Sequence, residues 1–511
     1  MDDSGRGEIL RFINKPVNFR PILFCSLSFA AGIFFFVKFA ANEFAAVAFL
    51  VAFLAVIFLV ALQFCLKGRM KAYAITAICC AFFSVVGMFS AGAAFKSYRS
   101  GRFESGDYFI SGEVESVYEN DGKYFVTLRN CKYNGKSGGK FYWRYAPSGM
   151  KKYDAVNVVC NAAPATEFDG KGLSNNALHG RAMVSAKVTH YEITGKSNRI
   201  YAKFARFTDE ILSEGLGKEE YAVARSLLRG DTDEAGDVID FYRVSGIAHV
   251  FAVSGMHVCM LFAAFSFIFK FIPIKKIYKS LAISCLLLFY AYLCGMTPSS
   301  VRAAVMCSIY SVVGSFGEKK DRGNTIAFAM VVTLLINPFD LFSEGFILSF
   351  SISFAIITLS RPIADKLRFL PSKLRDSLAV LFSASAVAIP LSVIFFGYYP
   401  LVSFVTNLLV VPLVSVSFYT LWIGIAISAI LPVNRLIALF VPSNILRLTS
   451  GLCEVFSNFP LQIKSFPIGF AAAYFIALYF FCELTNTGKR ANFVSSCYAV
   501  LSVILLAVLS F

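Results

Sequence analysis

Long apolar runs occupy residues 21–67, 72–94 and most of the chain from 247 to 511, and between them the texture changes to short alternating segments. A bilayer crossing takes about 20 predominantly apolar residues, so these runs predict roughly 11 to 13 transmembrane helices. Residues 96–199 carry a period of two instead. Strands are predicted at 107–118, 123–130, 140–145, 154–161 and 181–193, with Tyr124, Val126 and Leu128 on one face. Asn120-Asp121-Gly122 between the first two is a hairpin signal, because Asp-Gly adopts the positive φ angles of a tight turn. Five such strands suit a small barrel of the OB type, and other small β folds as well. Residues 200–245 return to a helical period broken at Gly230 and are expected to lie along the membrane surface. The chain thus reads as a polytopic α-helical membrane protein with an inserted, OB-like β-barrel. Its expected parts are N-terminal helices (1–95), the barrel (96–199), amphipathic connector helices (200–245) and a second transmembrane domain (246–511).

Charge orients this scheme. The chain is 57% hydrophobic and only 16% charged, with a net charge of +16. Arg6, Arg11, Lys15 and Arg20 precede the first span, and Lys67, Arg69 and Lys71 follow the second. Basic flanks stay in the cytoplasm, so a third span delivers residues 96–199 to the extracytoplasmic side. The clusters at 270–279, 319–322, 361–375 and 488–490 mark inner loops, and only 434–460 leaves the parity open between a crossing and an interfacial helix. The N-terminus shows no small-residue cleavage site of a secretory signal. Cys131 and Cys160 stand alone in the exterior segment, where an oxidising medium permits a disulfide. The remaining cysteines show no CxxC spacing and read as small buried hydrophobes.

Polar residues inside the apolar runs are the candidates for chemistry, since a polar group in hydrocarbon must find a partner or line water. His249, Ser254, Gly255 and His257 fall in one such run. Thr297-Pro298-Ser299-Ser300 interrupts another just before Arg302, whose guanidinium stays ionised and can fork onto phosphate oxygens; snorkelling or pairing with Glu344 is the alternative. Asn407 and Pro412 repeat the argument more weakly. The histidines lack a third metal ligand at a suggestive spacing, and Ser254 lacks a strand-turn-helix elbow and an acid partner. Asp231, Asp237 and Asp240 are more cheaply explained by capping and solvation than by a metal. In the exterior segment, 16 Lys/Arg stand against 10 Asp/Glu. Tyr142, Trp143, Arg144, Lys151 and Lys152 offer the aromatic platform and cationic groove that single-stranded nucleic acid requires, unless the aromatics fill the barrel and the lysines only solvate it.

Leu227-Leu228-Arg229-Gly230-Asp231, Ser245-Gly246-Ile247-Ala248-His249 and Val253-Ser254-Gly255-Met256-His257-Val258 together resemble the signature of the ComEC family of competence proteins. The order continues through Thr297 to Ala303, Asn337-Pro338-Phe339, Gly345 to Phe350, Phe396-Gly397 and Asn407 to Leu413. The resemblance implies a channel for single-stranded DNA in the bacterial inner membrane, acting in natural transformation. It makes residues 246–511 the competence-type channel domain and 96–199 the OB-fold module, chiefly near Phe168-Asp169 and 181–188. It also implies a periplasmic DNA receptor and a cytoplasmic ATPase or helicase, since no GxxxxGK[ST] loop is present. No cofactor and no catalysis are expected. Cys259 stands where the family pattern has glycine. The metallo-β-lactamase-like domain of many members is expected to be missing, because His179, His190, His249 and His257 cannot assemble an HxHxDH cluster. The competing readings are a secondary transporter for a small solute, which calls for inverted repeats, and an envelope enzyme using the histidines.

Overall fold

The computed structural model describes residues 21–39, 69–100, 103–120, 122–164, 183–232, 236–251, 253–316, 322–431, 434–459, 462–463 and 474. Helices α1 (Pro21–Phe39) and α2 (Arg69–Ser100) form an antiparallel pair. Their backbones touch. A Cβ on Gly32 would stand 1.9 Å from Ser84 O, and one on Gly87 would stand 2.2 Å from Phe29 O. Association without a hydrophobic driving force depends on such close contact between small residues.

The segment after α2 folds as strands β1 (Gly106–Asn120), β2 (Lys123–Tyr133), β3 (Lys136–Ser137), β4 (Phe141–Ala146), β5 (Asp154–Pro164) and β6 (Met183–Lys196). Neighbours run β1-β5-β6-β4-β2, and β2 closes back on β1. All pairings are antiparallel except β4 with β6. Setting the short β3 aside, this is the Greek-key closure of an OB barrel. Asn120 pairs with Lys123 and Gly122 has φ +71°, so the expected hairpin forms. The sequence pattern did not reveal β3, a two-residue return of β2 through Asn134 and Gly135, both at positive φ.

Inward positions Ile110, Val114, Val126, Leu128, Phe141, Trp143, Val156 and Val158 fill the barrel. Cys131 and Cys160 belong to the same core as free thiols, so the disulfide considered above is not formed. Burial pushes each thiol up to about 12, which starves any exchange reaction of thiolate.

Helices α3 (Ile200–Gly215), α4 (Lys218–Arg229) and α5 (Gly236–Val244) follow. Their apolar faces pack into the protein. Ile211, Leu212, Val223 and Leu227 join one core with Val258, Leu287, Phe418 and Leu446 of the helical domain. That domain comprises α6 (Gly255–Lys270), α7 (Lys276–Leu293), α8 (Pro298–Ser315), α9 (Arg322–Ile336), α10 (Glu344–Lys366), α11 (Ser372–Phe396), α12 (Ser403–Ile430), α13 (Arg435–Ala438) and α14 (Phe440–Ser457). Among the described residues, Ile78–Lys96 of α2 together with α7, α10, α11 and α12 are long and apolar enough to cross a membrane, while Ile22–Val37, α6 and α9 are apolar but shorter. The ambiguous stretch 434–460 becomes α13 and α14. The latter buries Leu446, Thr449 and Cys453 and is tied to α5 by Tyr242 Oη and Thr449 Oγ1, 3.0 Å apart.

Candidate functional site

Helix α6 starts where it does because Ser254 is extended (φ −97°, ψ 170°) and its N–H donates to His257 Nδ1 at 3.2 Å. This is the reciprocal capping arrangement with histidine in the place of Glu or Gln. An accepting Nδ1 puts the ring proton on Nε2, and that buried nitrogen has no partner among the described residues. The ring lies 5.1 Å from that of Phe418. His257→Leu therefore removes the acceptor of a helix-start N–H and should lower stability by about 1–3 kcal/mol, whereas His257→Gln retains an acceptor and should recover most of the loss. Thermal unfolding of the two variants in detergent checks this; equal melting points would remove the capping role.

Arg302 occupies the next helix start. Thr297 and Pro298 open α8, Thr297 Oγ1 donates to Ser300 Oγ at 2.9 Å, and Ser299 Oγ donates to Val253 O at 2.7 Å. The last bond stitches the start of α8 to the residue before the α6 cap. Arg302 is 4% exposed, and its Nη2 donates to Gly345 O at 2.9 Å, in the first turn of α10. Its Nε and Nη1 have no hydrogen-bond partner among the described residues. Glu344 is exposed, and the bond goes to the backbone beside it rather than to its carboxylate. Helix α10 is itself capped by Ser343, whose Oγ accepts from Phe346 N–H at 3.2 Å.

Helices α6 and α8 run parallel and level. A Cβ on Gly255 would stand 3.8 Å from that of Ala303, and one turn on Cys259 faces Cys307. The starts of α6, α8 and α10 are thus gathered on one side, around a buried guanidinium with donors to spare. Helix N-termini and an ionised arginine both favour anions. His249 is exposed in the 3-10 turn Ala248–Val250, between α5 and the start of α6. Asn407 is half-buried on α12, next to Thr406, whose hydroxyl donates to Ser245 O at 2.8 Å.

The barrel candidates divide. On β4 the pleat turns Phe141 and Trp143 inward and Tyr142 and Arg144 outward. Trp143 is core, 2% exposed, with its ring against Tyr191, so it cannot serve as a stacking platform. Lys152 is also withdrawn, paired with Asp231. Tyr142, Arg144 and Lys151 remain outward. Beside them lie Tyr145, the last aromatic of the same run, 65% exposed, with Lys123 Nζ 5.3 Å from its ring centroid, and one ring that sequence reasoning missed, Phe125, paired with Arg144 across the strands. The alternation of β2 was the available signal.

Asp231 is the larger omission. Rather than a capping carboxylate at the surface, it is the buried centre of an ion network joining the barrel to the connector. Arg229 Nε donates to it at 2.8 Å, Lys152 of the barrel binds its other oxygen, and Tyr153 Oη stands 3.4 Å from both. Arg229 also reaches Asp209 at 2.5 Å, Ala205 O at 3.0 Å and the Thr208 hydroxyl. Burial alone raises the Asp231 carboxyl, but Arg229, Lys152 and Arg225 hold it well below the usual carboxylate range. A second knot fixes the barrel to the start of α3. Glu113 accepts from Arg129 at 2.9 Å, Ser197 at 2.9 Å and Tyr201 at 2.6 Å. The Arg129 guanidinium lies 4.2 Å from the Tyr201 ring centroid, and a Cβ on Gly295, just after α7, would stand 2.8 Å from its Nη1.

A helical membrane protein carrying an OB-like barrel, with helix starts and an arginine gathered in its helical domain, is the class so defined. The Competence family (competence protein) matches residues 227–487, just over half of the chain, and the chain belongs to that ComEC-type family. The ion network's Arg229 and Asp231 and the helix-start residues His257 and Arg302 all fall inside the match. ComE operon protein 3 of Bacillus subtilis (strain 168) is 32% identical over 216 residues, 42% of this chain and 26% of that protein. The uncharacterized protein YcaI of Escherichia coli (strain K12) is 24% identical over 189 residues, 35% of this chain and 25% of that protein. The chain thus covers about a quarter of the length of each of these two relatives. No solved structure matches.

Proposed function

We propose that the chain conducts single-stranded DNA across the bacterial cytoplasmic membrane in natural transformation, without catalysis of its own. The observation that carries this reading is Arg302: a guanidinium, buried between helix starts, with two nitrogens unpaired among the described residues. Leaving buried donors unpaired is costly, and a passing phosphodiester supplies acceptors for them. Family membership narrows the anion to DNA. Residues 1–95, 96–199, 200–245 and 246–511 serve as N-terminal anchor, extracytoplasmic DNA-binding barrel, connector and channel. His249, Ser254, Gly255, His257, Arg302 and Asn407 line or shape the path. A cytoplasmic ATPase or helicase pulls the strand, and a periplasmic receptor delivers it.

Deleting the gene tests the reading. Transformation should fail while DNA still accumulates outside the cytoplasmic membrane; normal transformation would remove the proposal, and a defect only in solute uptake would favour a small-solute transporter.

The barrel adds a prediction. Purified full-length protein should bind single-stranded oligonucleotides with an affinity that falls steeply with salt, because counterion release dominates phosphate contacts. Phe125→Ala and Tyr145→Ala should each weaken binding by about 1–3 kcal/mol, the worth of a base stacked on an aromatic ring. Fluorescence anisotropy measures both effects. Unchanged affinity in the two variants would move the DNA contact off this face.

A further inference from the structure

We propose that Cys259 and Cys307 form an oxidisable dithiol, and that a disulfide oxidant converts it into a covalent staple between α6 and α8. Their sulfurs lie 3.7 Å apart on helices that run parallel and level. One turn earlier the same helices approach to 3.8 Å between the Ala303 Cβ and a Cβ built on Gly255, close to the mean Cβ separation of bridged cysteines, about 3.8 Å. With the sulfurs already 3.7 Å apart, rotation of the two side chains is the movement that bridging calls for.

The two thiols differ in access. Cys259 is exposed and Cys307 is buried. The Cys259 thiolate attacks the external disulfide and releases one half as a thiol, leaving a mixed disulfide on Cys259. The Cys307 sulfur then attacks the Cys259 sulfur, its proton passing to the departing second half. Two protein thiols are oxidised, one external disulfide is reduced to two thiols, and the two protons leave with them. The small molecule never has to reach Cys307, because the protein's own second thiol completes the exchange.

The staple sits one turn inside the helix starts that carry Ser254, His257 and Arg302. Arg302 is buried with the helices in this arrangement, so a substrate reaches it only when the starts of α6, α8 and α10 part. A bond between α6 and α8 opposes that parting. This consequence rests on the proposed conduction of DNA, whereas the bridge itself does not.

The test uses full-length protein in native membranes treated with oxidised glutathione. A non-reducing digest analysed by mass spectrometry should contain a peptide pair joined between Cys259 and Cys307. The pair should disappear after reduction and in Cys259→Ser and Cys307→Ser, with gel filtration showing both variants folded. Glutathione left on Cys259 with no bridge to Cys307 overturns the dithiol. Oxidation should also abolish most DNA import by the wild type, reversibly, and leave Cys259→Ser unaffected. Import that survives complete bridging overturns the staple's effect on the path. A chain that imports no DNA before oxidation overturns the conduction reading instead, while the peptide analysis still decides the bridge.

Discussion

Asp231→Ala should deplete folded protein from the membrane, with a loss of about 3–5 kcal/mol, the cost of breaking a buried ion pair by removing one partner. The substitution leaves Arg229, with a fully buried side chain, and its neighbours Lys152 and Arg225 without their shared carboxylate. Asp209 then remains as the acidic partner of both arginines. Asp231→Asn should be nearly as damaging, since it keeps the shape but not the charge. Replacing Arg229 and Asp231 together by Met and Leu should cost less than either single alanine, because the fully buried guanidinium goes with its carboxylate and only the less deeply buried Lys152 loses its partner. The pH dependence follows from the depressed Asp231 carboxyl. A group whose pKa is lower folded than unfolded stabilises above the unfolded value, about 3.9, and loses that contribution as pH falls toward the folded value. This network should therefore contribute a constant term from pH 8 to about 5 and weaken only below about 4. Membrane abundance and thermal unfolding in detergent measure all of this. Asp231→Ala protein as abundant and as stable as wild type would show that the network does not join barrel to connector.

That network also shows where the sequence stops being legible. The barrel could be read because its information is local: a period of two and an Asp-Gly turn fix the strands, and only the two-residue β3 escaped. Faces were harder. Tyr142, Trp143 and Arg144 are adjacent, and nothing local says which of them points inward; pairing of β4 with β2 sends Trp143 into the core and leaves Phe125 and Tyr145 outside. The burial of Asp231 is not legible because it depends on barrel residues distant in the chain, Tyr153 and Lys152, the latter 79 residues away, and on α3, which holds the same Arg229 through Asp209. The connector's apolar stripe was visible, but an amphipathic helix fits a membrane surface and a protein core equally well. In the helical domain the intramembrane polar residues marked themselves by being out of place. What they touch did not follow from that: Arg302 was weighed against Glu344 and bonds instead to the backbone of Gly345.

Arg302→Ala should leave protein abundance intact and reduce DNA import per folded molecule by about 10- to 100-fold. The stability side follows from burial: the guanidinium makes a hydrogen bond to Gly345 O but leaves Nε and Nη1 unpaired, so its removal eliminates an under-satisfied buried charge along with one bond, and these contributions oppose each other. The transport side follows from charge. A hydrogen bond between a charged donor and an acceptor contributes about 1.5–3 kcal/mol, and each 1.4 kcal/mol corresponds to about a factor of ten. Arg302→Lys should restore part of the import, since the positive charge survives while the planar fork that can hold two phosphate oxygens does not. A structural role alone predicts a different order, with Lys no better than Ala and abundance falling in both. Transformation frequency divided by the amount of folded chain in the membrane separates these cases. Normal import by Arg302→Ala at wild-type abundance would make Arg302 a packing residue of the α8–α10 contact and place the path of the strand elsewhere.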